Sequence, residues 1–252
     1  HGVFDLPGHG THCAGTIGAR ENDQGIVGIC PDVGQADGGL IVGKVLGDDG
    51  GGRPAWVVEG IRWAASEGAR VISLSLGSRM PDAAIYDAIL EAVAAGIHVI
   101  AAAGNDGPSA IQSNQVNYPA RYRETIAVAA VGHDRSITDF SSRGAAVDIA
   151  APGEGVLSCL PGGRWARMSG TSMATPFVAA VVGLATCKST SLSVCEMKRL
   201  LKENAEDAGS PGFDDAYGAG LIRAVEFFDS VPESPTGTAA ASGTRILADK
   251  SE

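Results

Sequence analysis

DAAIYDAILEAVAAGIHVIAAAGN, residues 82–105, decides the fold. Ile85, Ile89 and Val93 recur at helical spacing, so residues 82–95 predict an amphipathic helix. Gly96 supplies a residue that can take positive φ just past its end. The run IHVIAAAGN that comes next is apolar, opens with β-branched residues and closes on a glycine-bearing turn, which predicts a buried strand. The same succession stands immediately upstream. Residues 54–67 place Trp56, Val57, Ile61 and Ala64 on one helical face, Gly68 comes after them, and RVISLSLGS reads as a strand and a sharp turn. Before that, LIVGKVL (40–46) reads as another buried strand. Helices and strands alternating in this way make right-handed βαβ units of a parallel sheet. Further strands are expected at 124–131 and 146–150, and helices at about 172–187, 194–205 and 219–229. The expected architecture is α/β, three layers deep, with a mostly parallel central sheet.

A length of 252 residues, 44% of them apolar, suffices for one large domain with a substantial core. The formal charge of −10 argues against nucleic acid or an anionic membrane surface as a partner. No apolar run reaches the roughly 20 residues that span a bilayer. The chain opens at His1 with no methionine or leader, so any signal peptide is expected to have been removed or omitted. From Pro232 onward Pro, Ser, Thr, Ala and Gly dominate without periodicity. Residues 1–230 are therefore expected to form the domain and 231–252 a disordered tail or linker. Five cysteines do not imply a dense disulfide framework, although Cys187 and Cys195 could pair across a short loop.

The chemistry-bearing residues sit in three separated turns. GHGTHCAG (8–15) holds His9 and His12 three apart. A zinc site would want a glutamate or a second pair of ligands, and neither accompanies them. SGTSMATP (169–176) feeds Ser172 into an apolar helix. That place suits an N-cap, and it equally suits a nucleophile, because the unpaired N–H groups and helix dipole favour developing negative charge. AAAGND (101–106) puts Asn105 just past a buried strand, where an amide can reach a cleft or simply make a turn. Together the three supply a base, an oxyanion donor and a nucleophile.

GHGTHCAG, AAAGN and GTSMATP resemble the three signature blocks of the subtilisin-like serine peptidases. GIVGICP, KVLGDDGGG, ISLSLGS, FSSRG, DIAAPG and YGAGLI resemble the same family in order and spacing, from about residue 8 to residue 229. The resemblance implies serine endopeptidase chemistry through an acyl-enzyme. Ser172 would be the nucleophile and His9 the general base, with Asn105 and the Ser172 N–H holding the oxyanion. His12 is expected to pack structurally. Cys13 falls where the thiol-containing branch, which includes proteinase K and thermitase, keeps a buried cysteine. Gly50, Gly51 and Gly52 resemble one edge of a groove for extended peptide, and Ser75, Leu76 and Gly77 the other. Ser75–Gly77 with Ala102, Ala103 and Gly104 would wall a specificity pocket, with Asp106 and Asn117 near its rim and floor. Uncharged side chains, with some tolerance for basic ones, are the expected occupants. Asn22, in ARENDQGIVG (19–28), stands where a calcium-ligating oxygen is implied. No cofactor is required for the chemistry.

The family's third triad member is an aspartate on an early central strand before the histidine, and only eight residues precede His9. Asp5 is the sole acid among them, and the resemblance puts it on the groove rim. The expected sheet therefore lacks one strand, leaving a gap or an exposed edge. The chain is expected to be a fragment with low or no activity of its own. A peptide-binding pseudopeptidase and a hydrolase of small esters or amides are the alternatives. Peptide or protein substrates, a cleaved propeptide, a monomeric state and an extracellular location are implied by the resemblance.

Overall fold

The computed structural model of the protein describes residue 5 and residues 8–31, 39–108, 114–234 and 245–248. The elements in chain order are α1 (His9–Gly18), β1 (Leu40–Val42), α2 (Pro54–Ser66), β2 (Ala69–Leu74), α3 (Ala83–Ala94) and β3 (His98–Ala102). After these come β4 (Ile126–Val131), β5 (Ile149–Pro152), the hairpin β6 (Val156–Leu160) and β7 (Arg164–Met168), α4 (Thr171–Lys188), α5 (Val194–Glu203), α6 (Ala224–Ser230) and β8 (Arg245–Ala248).

The α3–β3 unit forms as its sequence dictates. The Asp82 carboxylate caps the helix by accepting from the N–H groups of Ala84 and Ile85 at 2.9 and 3.0 Å. Gly96 ends it at φ +81°, while the N–H of Ile97 reaches back to the Ala92 carbonyl at 3.0 Å. β1, β8, β2, β3, β4 and β5 lie side by side in that order, every pair parallel.

Alternation along the strands makes the three layers. Val71, Ile100, Ile126, Val128 and Ile149 face a core shared with α1, α4, α5 and α6. Their neighbours Ile72, Val99, Ala101, Ala127 and Ala150 face a second core with α2 and α3. α4 is long and apolar enough to cross a membrane by length and composition, but 78% of it is buried as the central helix of the first core. α5 carries a capping box of Ser193 and Glu196. It is tied to the sheet by Asp148, which meets Lys198 and Lys202 at 2.8 Å each and accepts from the Ala127 N–H.

Several expectations are corrected. The strand expected over 40–46 stops at Val42. The helix expected over 219–229 begins only at Ala224, because Gly218 and Gly220 take positive φ and Leu221 pairs with Glu206 instead. The β6–β7 hairpin, turning through Gly162 and Gly163 at φ +79° and +69°, lay outside the sequence reading. No disulfide joins Cys187 to Cys195, for all five cysteines are thiols. Of the expected tail, residues 245–248 form a strand within the sheet, while 235–244 and 249–252 lie outside the described residues. Between β1 and β2 there is accordingly no gap: β8 pairs with both.

His98, at the start of β3, is 2% exposed, and burial together with the nearby Arg70 guanidinium lowers its pKa to about 4. The unfolded chain therefore takes up a proton near pH 6.5 that the folded chain refuses until about pH 4. Stability should fall as pH drops through that window, by on the order of 3 kcal/mol in all. A His98→Phe variant should flatten that part of a urea-unfolding series. An unchanged slope would overturn the assignment.

Candidate active site

The carboxyl ends of the parallel strands collect the chemistry-bearing residues, as open α/β sheets generally do. β2 ends at Leu74 and runs directly into Ser75-Leu76-Gly77. β3 ends at Ala102, three residues before Asn105. α4 starts at the same end with Thr171 and Ser172.

His9 is the first residue of α1 and only 4% exposed. Gly8 at φ +80° turns the chain into the helix. The Asp5 carboxylate receives the Thr11 N–H and hydroxyl at 2.6 and 2.7 Å, which fixes the helix N-terminus. Cys13, one turn on, lies with its sulfur 3.9 Å from His9 Nδ1 and donates to the Ser172 carbonyl at 3.5 Å. It thus packs beneath the histidine. His12 is fully buried against the β6–β7 hairpin, its Nε2 2.9 Å from the Val156 carbonyl and 3.2 Å from that of Ala166. Carbonyls only accept, so Nε2 carries the proton and donates to them. Burial lowers the His12 pKa, against the two carbonyl hydrogen bonds that raise it. His12 ties α1 to the β6–β7 hairpin, which fits the structural role expected of it.

Ser172 stands in the first turn of α4, 6% exposed. Its hydroxyl donates to the Ser75 carbonyl at 3.3 Å, and the Ser75 hydroxyl donates to the Ser172 carbonyl at 2.8 Å. Asn105 is held by the residue before the serine. Thr171 N–H and hydroxyl both donate to Asn105 Oδ1, at 2.9 and 3.0 Å. A backbone N–H can only donate, so the amide orientation is fixed and Nδ2 is left as the outward donor. The Thr171 oxygen also accepts the Gly104 N–H at 3.1 Å.

A cavity of about 250 Å³ opens beside this pair, lined by Leu76, Gly77, Ala102, Gly104, Asn105, Asp106, Asn117, Thr171 and Ser172. Two of the expected wall residues lie behind it: Ser75 bonds to Ser172, and the Ala103 carbonyl accepts the Asn117 N–H at 2.8 Å. Asn117 fills the floor. A Cβ on Gly104 would come within 2.5 Å of its Nδ2, and one on Gly77 within 3.1 Å of its Cβ. Asp106 sits in the wall with its charge matched by Arg79, which bonds it through Nε at 3.0 Å and through a second guanidinium nitrogen. That guanidinium, helped by Asn117, holds the Asp106 carboxyl below the usual carboxylate range.

A second, more apolar cavity of about 360 Å³ runs between Gly50 and Gly52 on one side and Leu76–Ser78 on the other, floored by Leu46, Val57 and Tyr118. Gly51 lines neither cavity. Its N–H donates to Asp49 and its carbonyl accepts from Gly47, which sets the turn. Asn22 is exposed in the loop after α1, its Oδ1 3.3 Å from the Gln24 N–H. Among the described residues no three His, Cys, Asp or Glu side chains cluster as metal ligands. One amide oxygen falls well short of the six to eight that calcium takes, so these residues do not by themselves make the implied site. Thr171 and Arg79 were missed by the sequence reading. Thr171 stands in the quoted GTS turn, whereas Arg79 carries no local signal for an ion pair 27 residues away.

The family described as Subtilase family matches residues 3–220. Subtilisin BL of Lederbergia lenta is 42% identical over 220 residues, covering 87% of this chain and 77% of its own length. Intracellular serine protease of Paenibacillus polymyxa is 44% identical over 180 residues, or 71% of this chain and 54% of its own. Alkaline elastase YaB of Bacillus sp. strain YaB is 39% identical over 222 residues, 88% and 55% of the two lengths.

Thr171→Val keeps the shape of the residue but deletes one of the two donors to Asn105 and leaves the buried Gly104 N–H without an acceptor. The expected loss is about 1–3 kcal/mol in chemical unfolding. Broadening of the Asn105 side-chain amide signals should accompany it. Sharp, unshifted signals at wild-type stability would show that the lock has no mechanical role.

Proposed function

The chain belongs to the subtilase family of subtilisin-like serine endopeptidases, and on that premise we propose that it hydrolyses peptide bonds through an acyl-enzyme on Ser172. The observation that carries the reading is the Thr171–Asn105 lock, which holds an amide donor beside the serine at the rim of a side-chain-sized cavity. In the proposed sequence His9 takes the Ser172 hydroxyl proton as the oxygen attacks the scissile carbonyl. Asn105 Nδ2 and the Ser172 N–H receive the oxyanion. His9 then returns the proton to the leaving amine, and a water repeats the steps to release the acid.

The second cavity supports an extended peptide lying between two backbone edges, which a hydrolase of small esters would not need. The filled floor and the neutralised Asp106 support a pocket for short uncharged side chains, with basic ones tolerated. A binding-only role would give the same groove without turnover, so the serine itself decides between them. Placement in the thiol-containing branch rests on Cys13 alone. A cleaved propeptide, a monomeric state and an extracellular location are carried from the resemblance; one matched relative is named an intracellular protease.

A fluorophosphonate probe should label Ser172 in the intact chain and fail on Ser172→Ala. Asn105→Ala should cost about 10²–10³ in kcat with little change in KM, the magnitude that loss of the oxyanion asparagine has in a subtilisin. Peptides varied at the residue before the cut should favour small uncharged side chains, and Asn117→Gly should shift the preference to larger ones. Absence of labelling, or a strong preference for acidic residues there, would overturn the reading.

A further inference from the structure

An ion pair joins the two loops that flank the cavity beside Ser172. Arg79 lies two residues beyond Gly77 on one side, and Asp106 comes directly after Asn105 on the other. The backbone is pinned at both ends of the pair. Ser78 exchanges two hydrogen bonds of 2.8 Å with Tyr118, and the Met80 N–H donates to the Ser78 hydroxyl at 3.2 Å. The Asp106 N–H donates to the Ser142 hydroxyl at 3.1 Å, and the Gly107 N–H to the Phe140 carbonyl at 2.8 Å. The part left to move is the Arg79 side chain, which is 77% exposed, against 21% for that of Asp106.

The two partners meet unequally. Both guanidinium bonds land on Asp106 Oδ1, so the pair lacks the two parallel bonds of a fork-on-fork bridge. An ion pair with one arm in water is weak, and releasing the arm returns side-chain entropy. Asp106 lines the cavity and Arg79 does not. The guanidinium therefore reaches the carboxylate from outside the wall, whereas a basic side chain in the cavity would reach it from within. A carboxylate in a pocket wall attracts a cationic occupant, and a guanidinium already resting on it offsets that attraction.

We propose that Arg79 is a specificity-determining residue, an internal cation that holds Asp106 and keeps the pocket from selecting basic side chains. Asp106 supplies a latent preference for lysine or arginine, and Arg79 sets how much of it is expressed. The role rests on the proposed reading of this cavity as the place of the side chain before the cut, and deepens it. Because Arg79 acts through Asp106 and not on the reacting atoms, its effect falls on binding and on KM.

Peptides that differ only in carrying lysine or norleucine before the cut test it, since the two side chains share a stem and differ in charge. Binding is measured by calorimetry in a Ser172→Ala background, which needs no turnover. Arg79→Gln should raise the affinity ratio of the lysine peptide to the norleucine peptide about tenfold. Arg79→Lys, which keeps the charge, should restore most of the parent ratio. With Asp106→Asn added, the shift caused by Arg79→Gln should vanish. An unchanged ratio in Arg79→Gln overturns the proposal. So does a shift of equal size without the Asp106 carboxylate, which would make Arg79 merely a distant charge. Binding of neither peptide removes the pocket and the proposal with it.

Turnover with Ser172 intact separates this role from the peptidase reading. The same change of about tenfold should appear in the ratio of kcat/KM values, carried by KM. Turnover in which Arg79→Gln leaves the ratio unmoved sinks the role of Arg79 and leaves the peptidase reading standing. An affinity ratio that shifts in a chain that cleaves neither peptide does the reverse.

Discussion

How closely α4 lies on the sheet governs everything at the carboxyl ends of the strands. Its buried face is built from small residues, Ala174, Ala179, Ala180 and Gly183 among them, and it packs on β2, β3, β4, β5 and β8. A helix set that close cannot tilt without opening voids along its length. Its first turn is therefore a fixed point, and Thr171 and Ser172 inherit that fixity. The Asn105 amide takes its orientation from Thr171 and the Gly104 turn takes its anchor from the same oxygen, so the cavity wall is an extension of core packing.

The first helix repeats the logic on a smaller scale. Residues 8–15 look like a metal or redox motif, with two histidines and a cysteine in eight positions. Folded, the three part company. His12 commits its Nε2 proton to two carbonyls of the hairpin, Cys13 lies under His9 and donates to the backbone of Ser172, and His9 alone remains at the functional end. Positions three apart lie near one another on a helix, so the two histidines differ by what packs against them: the hairpin carbonyls engage the His12 ring, while His9 begins the helix.

The parts of the fold legible in the sequence were those written in local periodicity. The α2–β2 and α3–β3 units, β4 and α4 announce themselves through apolar spacing and terminal glycines. The hairpin at 156–168 did not, because its exposed Leu157 and Trp165 blur the alternation. β8 was hidden by composition. Four strand residues in a stretch dominated by Ser, Thr, Ala and Gly carry too little signal, and their placement is fixed by two flanking strands remote in sequence. The site divides along the same line. Ser172, Asn105 and His9 could be singled out as candidates because each lies in a short motif, whereas the Arg79–Asp106 pair is a contact between loops that no local pattern encodes.

The pairing of Leu40 with Ile246 joins residues more than 200 positions apart. In a chain made from its amino end, β8 reaches β1 only after every other described strand of the sheet has been synthesised. Contacts of that separation are slow to find, and until they form the inner edges of β1 and β2 stay open to other strands. The order of assembly therefore places sheet closure last.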